Sequence, residues 1–171
     1  MATDELSPEL RKYIGRVSSG FVETPDEVNK PMIRIWCEMV EDANPLYTDE
    51  EYAQKSEYGG IISPPAMLMT WGLPPQWSPR ATETPSHVLM DLPLEDFPIN
   101  LSVGCTEEYF LPIRPGDRLH YNTKLDDISP LKRTRLGVGH FITYTYYYYN
   151  QHNELVATNQ HVLFCYRTEE E

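Results

Sequence analysis

Seven residues, Glu41-Asp42-Ala43-Asn44-Pro45-Leu46-Tyr47, crowd a carboxylate, a carboxamide and a phenol around one proline. A carboxylate and a proton-accepting ring that hold the same water can add it to an electrophilic carbon near neutral pH. Here the ring is a phenol. Its ordinary pKa is about 10, so Tyr47 cannot take a proton at neutral pH without a large shift. The stretch has the outline of an acid–base site with one group exchanged. Asp42 also has a plain structural alternative, as a capping or interface carboxylate.

Five histidines could substitute as a base: His87 in a proline-rich loop, His120, His140 and His161 in strand patterns, and His152 at a turn. Each position is one where a packed or surface imidazole is the ordinary outcome. Cys37, Cys105 and Cys165 are odd in number and widely spaced. That spacing suits neither a disulfide framework nor a zinc site, and no metal is expected. The net charge of −12 argues against nucleic acid or an anionic membrane as a partner. Two local cationic stretches stand out against it, Arg114 with Arg118 in "IRPGDR" and Lys132, Arg133 and Arg135 in "LKRTR". No apolar run approaches the roughly 20 residues that cross a bilayer, and "MATDELSPEL" lacks an export pattern, so a cytoplasmic chain is expected.

The elements that must position these groups divide the chain in two, with helices first and strands after. Residues 1–28 form an N-terminal extension in which Ser7 caps a short helix, Gly15 closes it and 16–28 are irregular. Residues 29–171 form one domain. Its first strong helix starts at Asn29 and presents Met32, Ile33, Trp36, Met39 and Val40 on one face, ending at Asn44-Pro45. Thr48 and Glu51 stand at capping-box spacing for a second helix. "SPPAMLMTWGL" then predicts a helix capped by Ser63 and apolar on every side, hence wholly buried. After the loop at 74–87 come strand patterns: "NLSVGCTEEYFLPI" and "RLHYNTKLDDI" on either side of the turn 114–117, and a long hairpin from "GHFITYTYYYYN" and "ELVATNQHVLFCYR". Alternation puts rings on both faces of the tyrosine strand, one for the core and one suited to a partner. One buried helix and several long antiparallel strands give an α+β fold.

The succession "EDANPLYTDEEYAQKSEYGGIISPPAMLMTW", "LPIRPGDRL" and a terminal hairpin resembles the MaoC-like hydratases of the hot-dog fold, from about Asn29 onward. "NPLYTDEEYA", "GGIISPPAM" and "RPGDRL" resemble the FAS1-like dehydratase branch. "VNKPMIRIWCEMVEDANPLY", "SPPAMLMTW" and "LGVGHFITYTYYYY" resemble the MaoC-like subunit of heteromeric steroid enoyl-CoA hydratases, which act in cholesterol side-chain breakdown.

The resemblance implies a D-x-N-P-L-H motif. Asp42, Asn44, Pro45 and Leu46 match it, and Tyr47 stands where the histidine belongs. It also implies a backbone N–H at the start of the central helix that stabilises the thioester oxygen. That position falls on Pro64 or Pro65, and proline has no N–H. The chain is therefore expected to be a degenerate subunit. A second hot-dog chain with intact Asp and His would complete a heterodimer or heterotetramer, and no cofactor is expected beyond a coenzyme A thioester as substrate. The same resemblance implies substrate-facing roles for Ala66, Met67, Met69 and Trp71, and phosphate contacts for Arg114, Lys132, Arg133 and Arg135. The loop at 74–100 would make room for a bulky acyl group. The alternatives are a homodimeric hydratase or thioesterase and a non-enzymatic acyl-CoA binding module. Hot-dog thioesterases generally use an acidic residue on the central helix, and 64–73 contain none.

Overall fold

The computed structural model describes residues 5–73 and 92–168. Ser7 caps a single-turn helix, α1 (Pro8–Arg11), its hydroxyl accepting the Leu10 N–H at 3.2 Å. Leu6 and Leu10 are buried in the core, and residues 16–28 contain a two-residue edge strand, β1 (Val22–Glu23). The N-terminal extension is thus packed into the fold.

Helix α2 (Lys30–Val40) begins at Asn29, whose carboxamide accepts the Met32 N–H at 2.9 Å. Ile33 and Cys37 are its buried residues, with Met32 and Trp36 packed beside them. Met39 and Val40, placed on the buried face by periodicity, are instead 70% and 51% exposed. The apolar stripe runs through Cys37, and the last turn leaves the core as the chain turns away at Glu41.

Two short helices follow, α3 (Pro45–Thr48) and α4 (Glu50–Lys55). Asp49 caps α4, accepting the Tyr52 N–H at 3.0 Å, so the expected Thr48–Glu51 box does not form. Thr48 is still within α3, and the carboxylate one residue later reaches the orphan amide. The central helical segment is a 3₁₀ turn, Pro65–Met67, followed by α5 (Leu68–Trp71). Ser63 does not cap it; its hydroxyl accepts the Trp71 indole N–H at 3.0 Å. Met67, Leu68 and Trp71 are buried, whereas Ala66 and Met69 face outward. The segment is therefore two-sided, not wholly buried.

The sheet comprises β2 (Ile99–Tyr109), β3 (His120–Ile128), β4 (Lys132–Thr134), β5 (Gly137–Tyr149) and β6 (Leu155–Arg167), with β1 at one edge. The order is β1-β3-β5-β6-β2, antiparallel between neighbours, with β4 on the start of β5. The β5–β6 hairpin forms as expected. The turn at 114–117 also forms, but β2 and β3 do not pair across it: β2 lies on β6 and β3 on β5. The helix-facing side of β5 carries Ile142, Tyr144 and Tyr148, all buried, and the opposite side carries half-buried Phe141, Tyr147 and Tyr149. One core cluster gathers Ile33, Met67, Trp71 and Tyr148 around the central segment. A second, toward the other end of the sheet, joins Leu10, Leu92, Leu125 and Ile142. Among the described residues no helix is long and apolar enough to cross a membrane.

At Gly139 the two hairpin strands approach so closely that a Cβ would meet the Cys165 carbonyl and stand 2.6 Å from the Tyr166 Cα. A Cβ at Gly20 would meet nothing within 4 Å. Gly139→Ala should lower stability by about 1–3 kcal/mol, the cost of overpacking. Gly20→Ala should stay within about 0.5 kcal/mol, as open surface positions do. Urea unfolding of the two variants checks this, and equal midpoints would contradict the strand spacing.

Candidate functional site

The site residues are set by the way α2 stops. Glu41 takes a left-handed conformation (φ 58), and the Asp42 N–H bonds back to the Cys37 carbonyl at 2.9 Å. The Asp42 carboxylate then accepts the Asn44 N–H at 3.0 Å, and the Asn44 carboxamide accepts the Leu46 N–H at 3.1 Å. Asp42 and Asn44 are thus both committed to backbone amides, a capping relay that fixes the start of α3. Tyr47 is half-buried and packs against the first core cluster. Burial, and next the Asp42 carboxylate, push its phenol above the ordinary range, with an Asn44 hydrogen bond pulling the other way. The shift is opposite to what a base would need.

The Ile62 N–H bonds to the Leu46 carbonyl at 3.4 Å, so the segment 61–63 runs beside α3. Two clefts flank it. One, of about 250 Å³, is lined by Tyr47 with Lys30, Arg34, Thr48 and Glu50. Its cations are engaged, Lys30 by Glu50 and Arg34 by Glu38 at 2.9 Å. The other, of about 280 Å³, is lined by Tyr58, Ile62, Ser63, Pro65 and Tyr109. The ring at the motif position and the start of the central segment open on different clefts.

At that start Pro64 precedes the 3₁₀ turn and Pro65 begins it, so Ala66 brings the first N–H. The Pro65 carbonyl accepts the Tyr109 hydroxyl at 2.7 Å. Because peptide bonds are trans here, the Ala66 N–H points the opposite way.

Arg114 lies beside the Gly59–Gly60 turn, 3.9 Å from where a Cβ on Gly60 would sit, and its own turn is closed by Asp117. Arg118 pairs with Glu27 at 3.5 Å. Ala66, Met69 and Arg114 therefore share one end of the sheet, while Met67 and Trp71 lie beneath the surface as core. Lys132, Arg133 and Arg135 are at the other end. The strand β4 pairs with Gly137–Gly139, and His120 at the start of β3 pairs with Tyr149. The intervening strand is roughly 40 Å long at about 3.3 Å per residue. Within one chain the two basic groups do not meet on one small ligand.

Of the histidines, His120 stacks on Tyr149, His140 bonds the Ser129 carbonyl at 2.8 Å, and His152 lies in the β5–β6 turn. His161 stacks on Tyr144, and burial lowers its pKa. The hydrogen-bond and ring partners of these described histidines are residues other than Asp42 and Asn44. His87 and residues 74–91 of the expected room-making loop lie outside the described residues; Leu92, Leu94 and Phe97 pack on the second core cluster.

Sequence reasoning missed one polar row. Cys105, Glu107 and Tyr109 alternate along β2 onto the helix-facing side, where Glu107 meets Asn159 and Tyr109. The alternation was a legible signal, but which face of β2 turns inward depends on its pairing with β6.

Residues 13–159 match the FAS1-like dehydratase domain region. A probable enoyl-CoA hydratase alpha subunit from Thermomonospora curvata is 31% identical over 98% of this chain and 54% of its own length. The 3-oxo-4,17-pregnadiene-20-carboxyl-CoA hydratase alpha subunit of Mycobacterium tuberculosis is 32% identical over 68% of this chain and 38% of its own. The chain thus spans about half the length of the first relative and less of the second. A chain in the crystal structure of the ChsH1-ChsH2 complex from Mycobacterium tuberculosis superposes with a TM-score of 0.78 at 27% identity, covering 90% of this chain and 86% of that one. The architecture is the hot-dog fold of such proteins.

Burial raises the pKa of Tyr47, Tyr109, Tyr121, Tyr144, Tyr146 and Tyr148. The unfolded chain ionises these phenols first, near pH 10. Their contribution is complete below about pH 10 and lost as pH rises toward the higher native values. Burial raises the thiols of Cys37, Cys105 and Cys165 as well, so urea midpoints should begin to fall above about pH 8.5, where unfolded thiols ionise, and fall further by pH 10.5. A midpoint unchanged at 10.5 would contradict the burial of the tyrosine row.

Proposed function

The chain belongs to the FAS1-like dehydratase family, and from that premise we propose that it is the non-catalytic subunit of a heteromeric enoyl-CoA hydratase. A second hot-dog chain with intact Asp and His carries out hydration. This chain walls the pocket for a bulky acyl-CoA, a steroid acyl group in the first instance. The observation that carries the proposal is Tyr47: a phenol at the motif position whose proton is held more tightly than usual. Two prolines at the start of the central segment support it, since they remove N–H donors where thioester oxygen charge would develop.

The edge strand β2 supports the partner. Its far side has no neighbour within the described chain, and Ile99, Leu101 and Val103 are exposed along it, with Phe110 and Leu111 just beyond. A long apolar edge of this kind suits coverage by another sheet. The two alpha-subunit relatives and the complex to which the chain is structurally similar point the same way. Arg114, at the helix end of the sheet, is the proposed contact for coenzyme A phosphate. Lys132, Arg133 and Arg135 serve that role only toward a second site at the opposite end.

Purified without a partner, the chain should hydrate an enoyl-CoA at least ~100-fold more slowly than the complex, the scale of a lost acid–base pair. Tyr47→His should raise that rate less than ~10-fold, because the donor at the prolines is still missing. A gain of ~100-fold from that change, or robust turnover by the lone chain, would overturn the proposal. Binding of acyl-CoA with no turnover beside any partner would make the chain a binding module instead.

A further inference from the structure

The sheet has two edges, and they end differently. On the far side of β2 no strand pairs among the described residues, and Ile99, Leu101 and Val103 are exposed there. The opposite edge belongs to β3, and the N-terminal extension lies along it. The Gly15 N–H donates to the Leu125 carbonyl at 2.7 Å, and the Leu125 N–H donates to the Arg16 carbonyl at 2.9 Å. The Ser18 N–H donates to the Thr123 carbonyl at 2.8 Å, while the Ser18 hydroxyl accepts the Thr123 N–H at 3.1 Å. Val22 and Glu23 pair with Tyr121 and His120, and the Thr24 N–H reaches the Leu119 carbonyl at 3.0 Å. From Leu119 to Leu125, β3 has backbone groups bonded on both of its sides.

The extension does not put a new edge in place of the old one. Its regular pairing is the two-residue β1, joined by one isolated bridge between Val17 and Lys124, and Pro25 follows directly. Edges that short and irregular make poor templates for another strand. The extension is also pinned. Leu6 and Leu10 are buried in the second core cluster, Tyr13 and Ile14 pack beside them, and the Phe21 ring stands edge-on to His120 at 4.8 Å. Beyond its reach, the end of β3 carries Asp126 and Asp127 at a register shift, two further features that discourage pairing.

An open β3 edge together with an open β2 edge would let one copy of the chain add to the next, head to tail. A contact of that kind joins two different surfaces and does not close, so it grows into filaments. We propose that residues 15–24 are an edge guard, which bars strand addition at β3 and leaves each chain a single partner by sheet extension, at β2. The guard needs only the fold, so it stands or falls independently of the acyl-CoA reading.

Light scattering of the full chain, from micromolar to millimolar concentration, tests this, since exposed strand edges associate in that range. Ser18→Pro with Thr24→Pro removes two donors and the Ser18 hydroxyl, and it leaves Leu6 and Leu10 in place. The wild-type chain should settle at one finite mass. The double variant should exceed that mass ~3-fold or more with no plateau, as open head-to-tail growth requires. Adding Leu101→Lys should stop the growth, because a lysine on the β2 edge blocks the other half of the contact. Ser18→Pro alone should show the same growth to a smaller extent, and a cooperative thermal melt identifies the folded variants. A folded variant that keeps the wild-type mass, open-ended growth of the wild type, or growth that survives Leu101→Lys overturns the guard. Loss of the cooperative melt in both proline variants also overturns it, since the segment would then be a requirement of folding.

Discussion

Two side chains between Asp42 and Leu46 have no freedom left: the carboxylate holds the Asn44 amide and the carboxamide holds the Leu46 amide. That relay reverses the chain after a left-handed residue and aims Tyr47 at the core. An imidazole delivered there could exchange protons near neutral pH. A phenol that is buried and faces a carboxylate can only keep its proton. The capping relay that presents residue 47 is thus in place, and the group it delivers cannot accept a proton in the physiological range.

The remainder of the fold is consistent with the proposed role as a pocket wall. The inner face of the sheet is paved with phenols whose burial keeps them neutral, and the polar row on β2 is anchored by a buried carboxamide. The central segment is one 3₁₀ turn and one α turn, with Met67, Leu68 and Trp71 inward and Ala66 and Met69 outward. Together with the edge of β2, which pairs with no strand on its far side among the described residues, that outward side gives the chain an apolar flank beside its grooves. A partner on that flank would remove the edge from water and close the groove walls at once.

Much of this was legible in the sequence where the deciding physics is local. Asn29 and Ser7 cap the helices they precede, because a side-chain oxygen next to an orphan amide needs no distant help. The tyrosine hairpin followed from strand alternation across a short turn. Failures came where distant contacts decide. The turn at 114–117 was visible, but β2 crosses to β6, and only the whole sheet settles that pairing. Periodicity placed Met39 and Val40 in the core, yet the end of α2 lies past the packed region. Asp49 took the capping role because Thr48 remained helical. For the site, Asp42, Asn44 and Tyr47 were readable as a motif. The Glu107–Asn159 contact was not, because it joins residues on two strands that are far apart in sequence.

The central claim, that protons for hydration are handled by another chain, is met most directly by parallel active-site knockouts in a reconstituted complex. Single-turnover hydration of an enoyl-CoA would be followed with Asp42→Ala in this chain, or with the aspartate of the D-x-N-P-x-H motif replaced in the partner. Loss of about two orders of magnitude or more from the partner's change, and retention within a few-fold after Asp42→Ala, is the expected pair of results. A collapse of hydration on removing Asp42, in a complex that still assembles, would place the chemistry in this chain and contradict the account.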